Sequence, residues 1–304
     1  MNNFCTLFNI NYLSRGIILY ESLKENIKGE FHLYVLAFDN ESFDIINKLN
    51  LDFLTPIKLG DFENKKLLSV KPGRSPVEYC WTCTPWIIKY ALENFKLSHC
   101  TYIDADLYFY EDPKILIDEL NESDSILITE HDYSKEYDQT KKSGKYCVQF
   151  MYFKNDAKGL KALNWWSDQC LKWCYNRHED GKFGDQKYIE SFPELFDGVH
   201  VLNNKKAALA PWNIQKYLCD DSNIDLPVFF HFHGVKYCGK NTFFLGYYKL
   251  NNIMINLIYL PYLKKLFHST LTPLKIEVKL TWHQLLKIRL KNVLGNNHLI
   301  KING

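Results

Sequence analysis

The sequence has no apolar run of the roughly 18 residues that a membrane-spanning helix needs, so no integral membrane protein is expected. It has no Gly/Ser-rich or Pro-rich linker, no internal repeat and no low-complexity tract, which removes bead-on-string, solenoid and disordered-tail readings. The opening residues Met1-Asn2-Asn3-Phe4-Cys5 lack the charged leader and long apolar stretch of a signal peptide, and the expected location is the cytoplasm. No recognised nucleic-acid-binding motif occurs, so no nucleic acid partner is expected. The nine cysteines are an odd number scattered through apparent helices and strands, a pattern of reduced core residues rather than of a disulfide framework. Cys80-Trp81-Thr82-Cys83 has redox-motif spacing and could in principle join Cys170 and Cys174 around zinc. The second pair is poorly spaced for zinc, however, and it fits the apolar stripe of a helix.

What is present suits a sizeable core: 304 residues, 46% hydrophobic and 15% aromatic, enough for one large α/β domain or a domain with an extension. Charge is unevenly placed. Residues 249–304 hold nine Lys or Arg against the single acid Glu277, a net of +8, which leaves −6 for residues 1–248 out of the whole-chain +2. We therefore expect a catalytic domain over 1–248 and a basic amphipathic extension over 249–304 that faces an anionic partner. Within the extension Trp282, Leu285, Leu286 and Leu290 share a helical face, and Lys287 and Lys291 lie elsewhere. Such a helix reads as a peripheral contact with an anionic membrane, on its cytoplasmic face. Packing of the same helix on its own domain or on a second subunit is the alternative.

Near-continuous apolar strands at 3–9, 31–38, 53–57, 100–103, 125–129, 146–153 and 199–202 alternate with helices at 12–26, 42–49, 85–94, 113–120 and 156–176. Pro85 marks a first helical turn in this reading. The alternation predicts a mainly parallel sheet covered on both faces. Ligands of such sheets bind beyond the carboxyl ends of the strands, where Asn9, Asp39, Asp104 and Asp106 fall. The stripe Leu160, Leu163, Trp166, Cys170, Trp173 and Cys174 has helical spacing and reads as core. Phe229-Phe230-His231-Phe232-His233-Gly234-Val235-Lys236 is expected to close the globular part.

Chemistry enters with Tyr102-Ile103-Asp104-Ala105-Asp106-Leu107-Tyr108, an apolar strand ending in two aspartates one residue apart. Side chains two apart on a strand share a side, so both carboxylates can hold one hard divalent cation. That cation can offset the charge of a leaving diphosphate. A solvated strand-end turn carries the same pattern, and the pair alone does not decide between them.

Four segments together resemble the retaining GT-A glycosyltransferases of the glycogenin and lipopolysaccharide galactosyltransferase type, glycosyltransferase family 8 and its relatives. They are Thr6-Leu7-Phe8-Asn9-Ile10-Asn11-Tyr12-Leu13-Ser14-Arg15-Gly16, then Tyr102-Ile103-Asp104-Ala105-Asp106, Gly184-Asp185-Gln186 and His231-Phe232-His233-Gly234-Val235-Lys236. The resemblance spans roughly residues 3–240. It implies a Rossmann-like GT-A α/β fold and a metal-dependent, configuration-retaining transfer of a sugar from a nucleotide-diphosphate donor, UDP-linked in most of the family. The implied acceptor is a glycan or lipid-linked glycan of surface polysaccharide or lipopolysaccharide assembly. It also implies roles. Asp104, Asp106 and His231 would hold Mn²⁺ or Mg²⁺. Lys236 would meet the diphosphate as a point charge. Asp185 and Gln186 would lie beside the donor sugar, and Thr6, Asn9 and Tyr12 beside the nucleotide. Ala210-Pro211-Trp212-Asn213 and Glu130-His131 are acceptor-side candidates, with Trp212 readable as a sugar platform or as core and His131 as a general base or a solvated side chain.

The chain departs from the family pattern twice. The Gly–Lys spacing of the last segment is one residue short, and the family's Asn-Ser/Ala-Gly segment appears as Cys147-Val148-Gln149, which leaves the sugar open. A sugar-nucleotide pyrophosphorylase would place a Gly-rich basic loop where Asn9-Ile10-Asn11-Tyr12 stands. A phosphatase with an Asp nucleophile would also use Asp-x-Asp, but usually on an early strand and followed by Thr or Val rather than Leu107-Tyr108. A catalytically silent nucleotide- or glycan-binding relative is a further alternative.

Overall fold

The computed structural model describes residues 1–218, 225–272, 274, 281, 286, 288 and 298–302. Strand β1 (Asn2–Phe8) pairs in parallel with β2 (Phe31–Ala37), and β2 pairs in parallel with β3 (Leu54–Lys58). The other edge of β1 takes β4 (His99–Ile103), again in parallel. After the short β5 (Leu107–Phe109), strands β6 (Ile126–Glu130), β7 (Tyr146–Lys154) and β8 (Val199–Val201) complete a seven-stranded sheet of order β3-β2-β1-β4-β7-β6-β8. Strand β7 runs antiparallel to both neighbours and the remaining pairs are parallel. The sheet is therefore mainly parallel, as the alternating pattern predicts.

Both faces of that sheet are covered, and β1 shows how. Cys5 and Leu7 point into a core shared with helices Pro76–Asn94 and Ala157–Lys172. Phe4 and Phe8 point the other way, toward helices Leu13–Asn26 and Asn40–Leu49. Helix Leu13–Asn26 approaches the end of β1 closely at Gly16, where an added Cβ would lie 2.2 Å from the Phe8 ring. Only glycine fits that contact. Helix Ala157–Lys172 buries Leu163, Trp166 and Cys170 in the expected stripe.

One helix boundary differs from expectation. The helix does not begin at Pro85 but at Pro76, with Ser75 as its N-cap and Glu78 closing a capping box. Ser75 N donates to Glu78 Oε2 at 2.8 Å, and Pro76 occupies the first helical turn, where a missing N–H costs nothing. Pro85 sits inside the helix and forfeits one internal bond there.

A second, three-stranded sheet joins β5 to β9 (Ala208–Leu209) through β10 (Phe229–His231), in the order β5-β10-β9. The chain does not leave the domain after this. Strands β11 (Lys236–Gly239), β12 (Thr242–Phe244) and β13 (Leu299–Lys301) form an antiparallel sheet. Helical residues 252–268 bury Ile258, Tyr259, Tyr262, Leu263 and Leu266 against Phe230 and Phe232. The first apolar run of the basic extension is therefore core, with Tyr262 stacked on Phe232 at 3.7 Å between ring centroids. Trp282, Leu285, Lys287, Leu290 and Lys291 of the expected amphipathic helix lie outside the described residues. Among the described residues no helix is long and apolar enough to cross a membrane.

Candidate active site

Strand β4 ends at Ile103, and the chain turns at once: Leu107 N donates to Asp104 O at 3.2 Å and Asp104 N to Gln149 O at 3.0 Å. Strand β5 then pairs antiparallel with β10, setting Leu107 opposite His231. Phe232 N extends the ladder to Asp106 O at 2.9 Å. Backbone pairing thus carries His231 to the aspartates. Asp104, Asp106 and His231 offer ligand atoms that all lie within 4.8 Å of one another. His231 Nε2 stands 3.1 Å from Asp106 Oδ1 and 3.8 Å from Asp104 Oδ2.

The supporting contacts suit a cation site. Tyr102 donates its hydroxyl to Asp104 Oδ1 at 2.9 Å, leaving Oδ2 turned toward His231. His231 Nδ1 meets Gln149 Oε1 at 2.9 Å, so the second ring nitrogen is held as metal-site histidines usually are. Burial drives Asp104 up. Burial also presses on Asp106, but the His231 ring beside it holds that carboxyl well below the usual range. His231 is pushed toward neutrality by burial and carried well above the ordinary imidazole value by Asp106. Two carboxylates and one imidazole form a donor set that fits Mn²⁺ well and Mg²⁺ less well.

The triad opens onto a cavity of about 870 Å³ at the carboxyl ends of the parallel strands. That volume suits a nucleotide-sized ligand. Of the expected site residues, Asn9, Tyr12, Asp104, Asp106, Asp185, Gln186 and His231 line it. Asn9 Oδ1 accepts from Asn11 N at 3.1 Å, and Tyr12 is 41% exposed with the Arg15 guanidinium 4.5 Å from its ring centroid. Asp39 also lines the cavity, and both its oxygens are engaged: Oδ2 accepts from Ile10 N and Oδ1 from Ser42 N, each at 2.7 Å.

Two expected contacts lie elsewhere. Thr6 is fully buried on the Phe4/Phe8 side of β1 and does not line the cavity, because strand alternation turns it into the core. Lys236 opens β11 opposite Phe244, exposed and outside the lining. Strand β11 starts directly after Val235, whose carbonyl accepts from the Arg15 side chain, so the shortened spacing carries Lys236 past the cavity.

Asp185 follows Gly184, whose φ of +54° suits glycine, and its carbonyl accepts from Trp166 Nε1 at 2.9 Å. Burial lifts the Asp185 carboxyl to about 7, against an opposing hydrogen bond from Thr84. On the far wall His131 is not solvated. It is 3% exposed, stacked on Tyr133 at 4.6 Å and 9°, and lines the cavity. Its neighbour Glu130 lies outside the lining, bonded to Lys205 at 2.7 Å and Lys145 at 3.1 Å. Trp212 is 5% exposed, its indole N–H donates to His131 O at 2.9 Å, and its ring sits 5.3 Å from His231. That placement is a wall, not a free platform. Sequence reasoning did not single out Gln149 for the metal site, nor His233, which is exposed and lines the cavity beside His231. Gln149 reaches the triad only through the sheet register, whereas His233 stands two residues past His231.

No protein-family model matches the chain. It is 32% identical over 254 residues to the uncharacterized protein YfnF of Bacillus subtilis (strain 168), covering 78% of this chain and 83% of that one. The structure is similar to galactosyltransferase LgtC solved with donor and acceptor sugar analogs, with a TM-score of 0.53 at 14% identity, covering 89% of this chain and 97% of that one. It is also similar to apo mouse xyloside xylosyltransferase 1, with a TM-score of 0.50 at 14% identity, covering 77% and 98%. At these identities the likeness is one of fold, and the fold is GT-A.

Proposed function

The chain belongs to the family of the Bacillus subtilis protein YfnF, and we propose that it is a metal-dependent glycosyltransferase. In this reading it moves a sugar from a nucleotide-diphosphate donor, UDP-linked, to a glycan or lipid-linked acceptor of surface polysaccharide or lipopolysaccharide assembly. The observation that carries the reading is the Asp104–Asp106–His231 triad set in a nucleotide-sized cavity on a GT-A sheet.

Asp104, Asp106 and His231 would hold a divalent ion, which would supply charge neutralisation to the leaving diphosphate. Asn9 and the exposed face of Tyr12 receive the base and ribose. Asp185, with its carboxyl near 7, can donate or accept toward a sugar hydroxyl, and Gln186 lies beside it. The four carboxylates of the described lining are accounted for: Asp104 and Asp106 in the triad, Asp39 in loop capping and Asp185 beside the sugar. In this reading, following the family resemblance, configuration is retained by attack on the face the diphosphate leaves, its oxygen taking the acceptor proton. Asp185 is the one carboxylate of the described lining engaged neither in the triad nor in loop capping. His131, Tyr133, Trp212 and His233 wall the acceptor side. The positive charge of residues 249–304 holds the protein near an anionic, lipid-linked acceptor.

The test is thermal-shift measurement with UDP-, GDP- and CMP-sugars, with and without Mn²⁺, followed by an assay for released nucleotide. A Mn²⁺-dependent shift with a UDP-sugar and release of UDP is expected. A protein that responds to no donor in Mn²⁺ is not this enzyme.

A further inference from the structure

We propose that Gln149 is the positioning residue of the cation site: it fixes the ring tautomer and aim of His231 and the main chain of Asp104. This rests on the metal reading of the triad. Gln149 is fully buried on β7, just past the last β4–β7 pair, Ile103 with Phe150. Its side chain and its main chain reach different ligands. Oε1 meets His231 Nδ1 at 2.9 Å, and the carbonyl accepts from Asp104 N at 3.0 Å. An amide oxygen can only accept, so Nδ1 keeps its proton, and the ring nitrogen left to give up its own and offer a lone pair to a cation between the two aspartates is Nε2. With the amide reversed, its NH₂ would demand the other tautomer, and an N–H would point where the cation must bind.

The cost of this residue supports the assignment. The Gln149 amide nitrogen is buried and has no hydrogen-bond partner among the described groups. An apolar side chain would avoid that unpaired donor. What glutamine adds at this position is the oxygen on His231. The ring is boxed on another side by Trp212, 5.3 Å away edge to face, which limits its swing but cannot choose its tautomer. Gln149 ends the segment in which the chain departs from the family pattern, so that departure alters the metal site and not the sugar pocket alone.

The experiment is Mn²⁺ binding by electron paramagnetic resonance and calorimetry on the full chain, without donor. Gln149→Leu should bind Mn²⁺ roughly 10–100-fold more weakly, with an unchanged circular dichroism spectrum. Gln149→Glu keeps the acceptor and should bind within a few-fold of the wild type. Equal Mn²⁺ affinity in wild type and Gln149→Leu overturns the positioning role and leaves the triad standing. Failure of the wild type to bind Mn²⁺ or Mg²⁺ overturns the triad and this role together. Should the leucine variant not fold, ¹⁵N spectra of histidine-labelled, Mg²⁺-loaded wild type decide: Nδ1–H on His231 is expected, and Nε2–H overturns it.

Discussion

Asp106 Oδ1 and His231 Nε2 face each other at 3.1 Å because their main chains are already joined, Phe232 N donating to Asp106 O at 2.9 Å. The side-chain geometry is a product of the β5–β10 ladder, so a side chain can be removed without losing the ladder. Asp106→Ala should therefore stay folded, with a melting temperature within a few degrees of the wild type. It should lose Mn²⁺ binding and lower turnover by roughly 10²-fold or more, in the range for deleting one charge-stabilising group. Retained turnover would take the aspartate pair out of the mechanism.

Asp185 links function to pH. Its carboxyl stands at about 7 in the folded protein because burial disfavours the charged form, against 3.8 for an ordinary aspartate. Between those values the folded state holds a proton that the unfolded chain has released. Stability is then full below about pH 4 and falls as pH rises toward 7, by up to roughly 4 kcal/mol for this group. Asp185→Asn abolishes that dependence. The variant should match the wild type near pH 4 and melt several degrees higher at pH 8, with transfer activity reduced. A wild-type-minus-variant difference flat from pH 4 to 8 refutes the buried acid.

The sheet was legible because its strands are continuous apolar runs, which burial on both faces requires, and most strand ends lie within a residue or two of expectation. The aspartates and His231 were legible as residue types at strand ends. Gln149 was not, since it reaches the site through the β4–β7 pairing, which local sequence does not encode. Thr6 and Lys236 fail to line the cavity because alternation on β1 and the start of β11 turn them away from it. Pro85 misled because two prolines nine residues apart both carry a helix-start signal, and only Pro76 has a capping partner in Ser75 and Glu78.

The stretch 252–268 behaves as core, which bears on truncation. Tyr262 stacks on Phe232 at 10° between planes, and Phe232 adjoins His231 of the triad. Tyr262→Ala should cost about 3–5 kcal/mol, a drop in melting temperature on the order of 10 °C, and weaken Mn²⁺ binding as β10 loosens. Truncation after Leu250 should give unfolded protein by circular dichroism. A soluble, fully active truncation would show that the helices merely cover the surface.

The charge of the extension is testable separately from its packing. Replacing Lys287, Arg289 and Lys291 together by serine removes three of the nine basic residues of 249–304. Each such residue near an anionic surface is worth about 1 kcal/mol, so co-sedimentation with phosphatidylglycerol vesicles should fall more than tenfold at low salt. Turnover on a soluble acceptor should stay the same. Wild-type protein that ignores anionic vesicles removes the membrane role.

Trp212 distinguishes wall from platform. Its indole N–H is committed to His131 O, and its ring meets His231 at 5.3 Å and His233 at 5.6 Å, leaving 5% of the residue exposed. A platform needs a free face, and this one is occupied by protein. Trp212→Phe keeps most of the packing but removes one of two donors to the buried His131 carbonyl, which Asn213 Nδ2 still meets at 3.0 Å, a cost of about 0.5–1.5 kcal/mol. Donor hydrolysis, in which water replaces the acceptor, should then fall together with transfer, because the disturbance passes through His131 and His231 to both. A sugar-stacking tryptophan behaves otherwise: the acceptor KM rises, and hydrolysis stays at the wild-type rate. Measuring the two rates side by side on the same variant separates them.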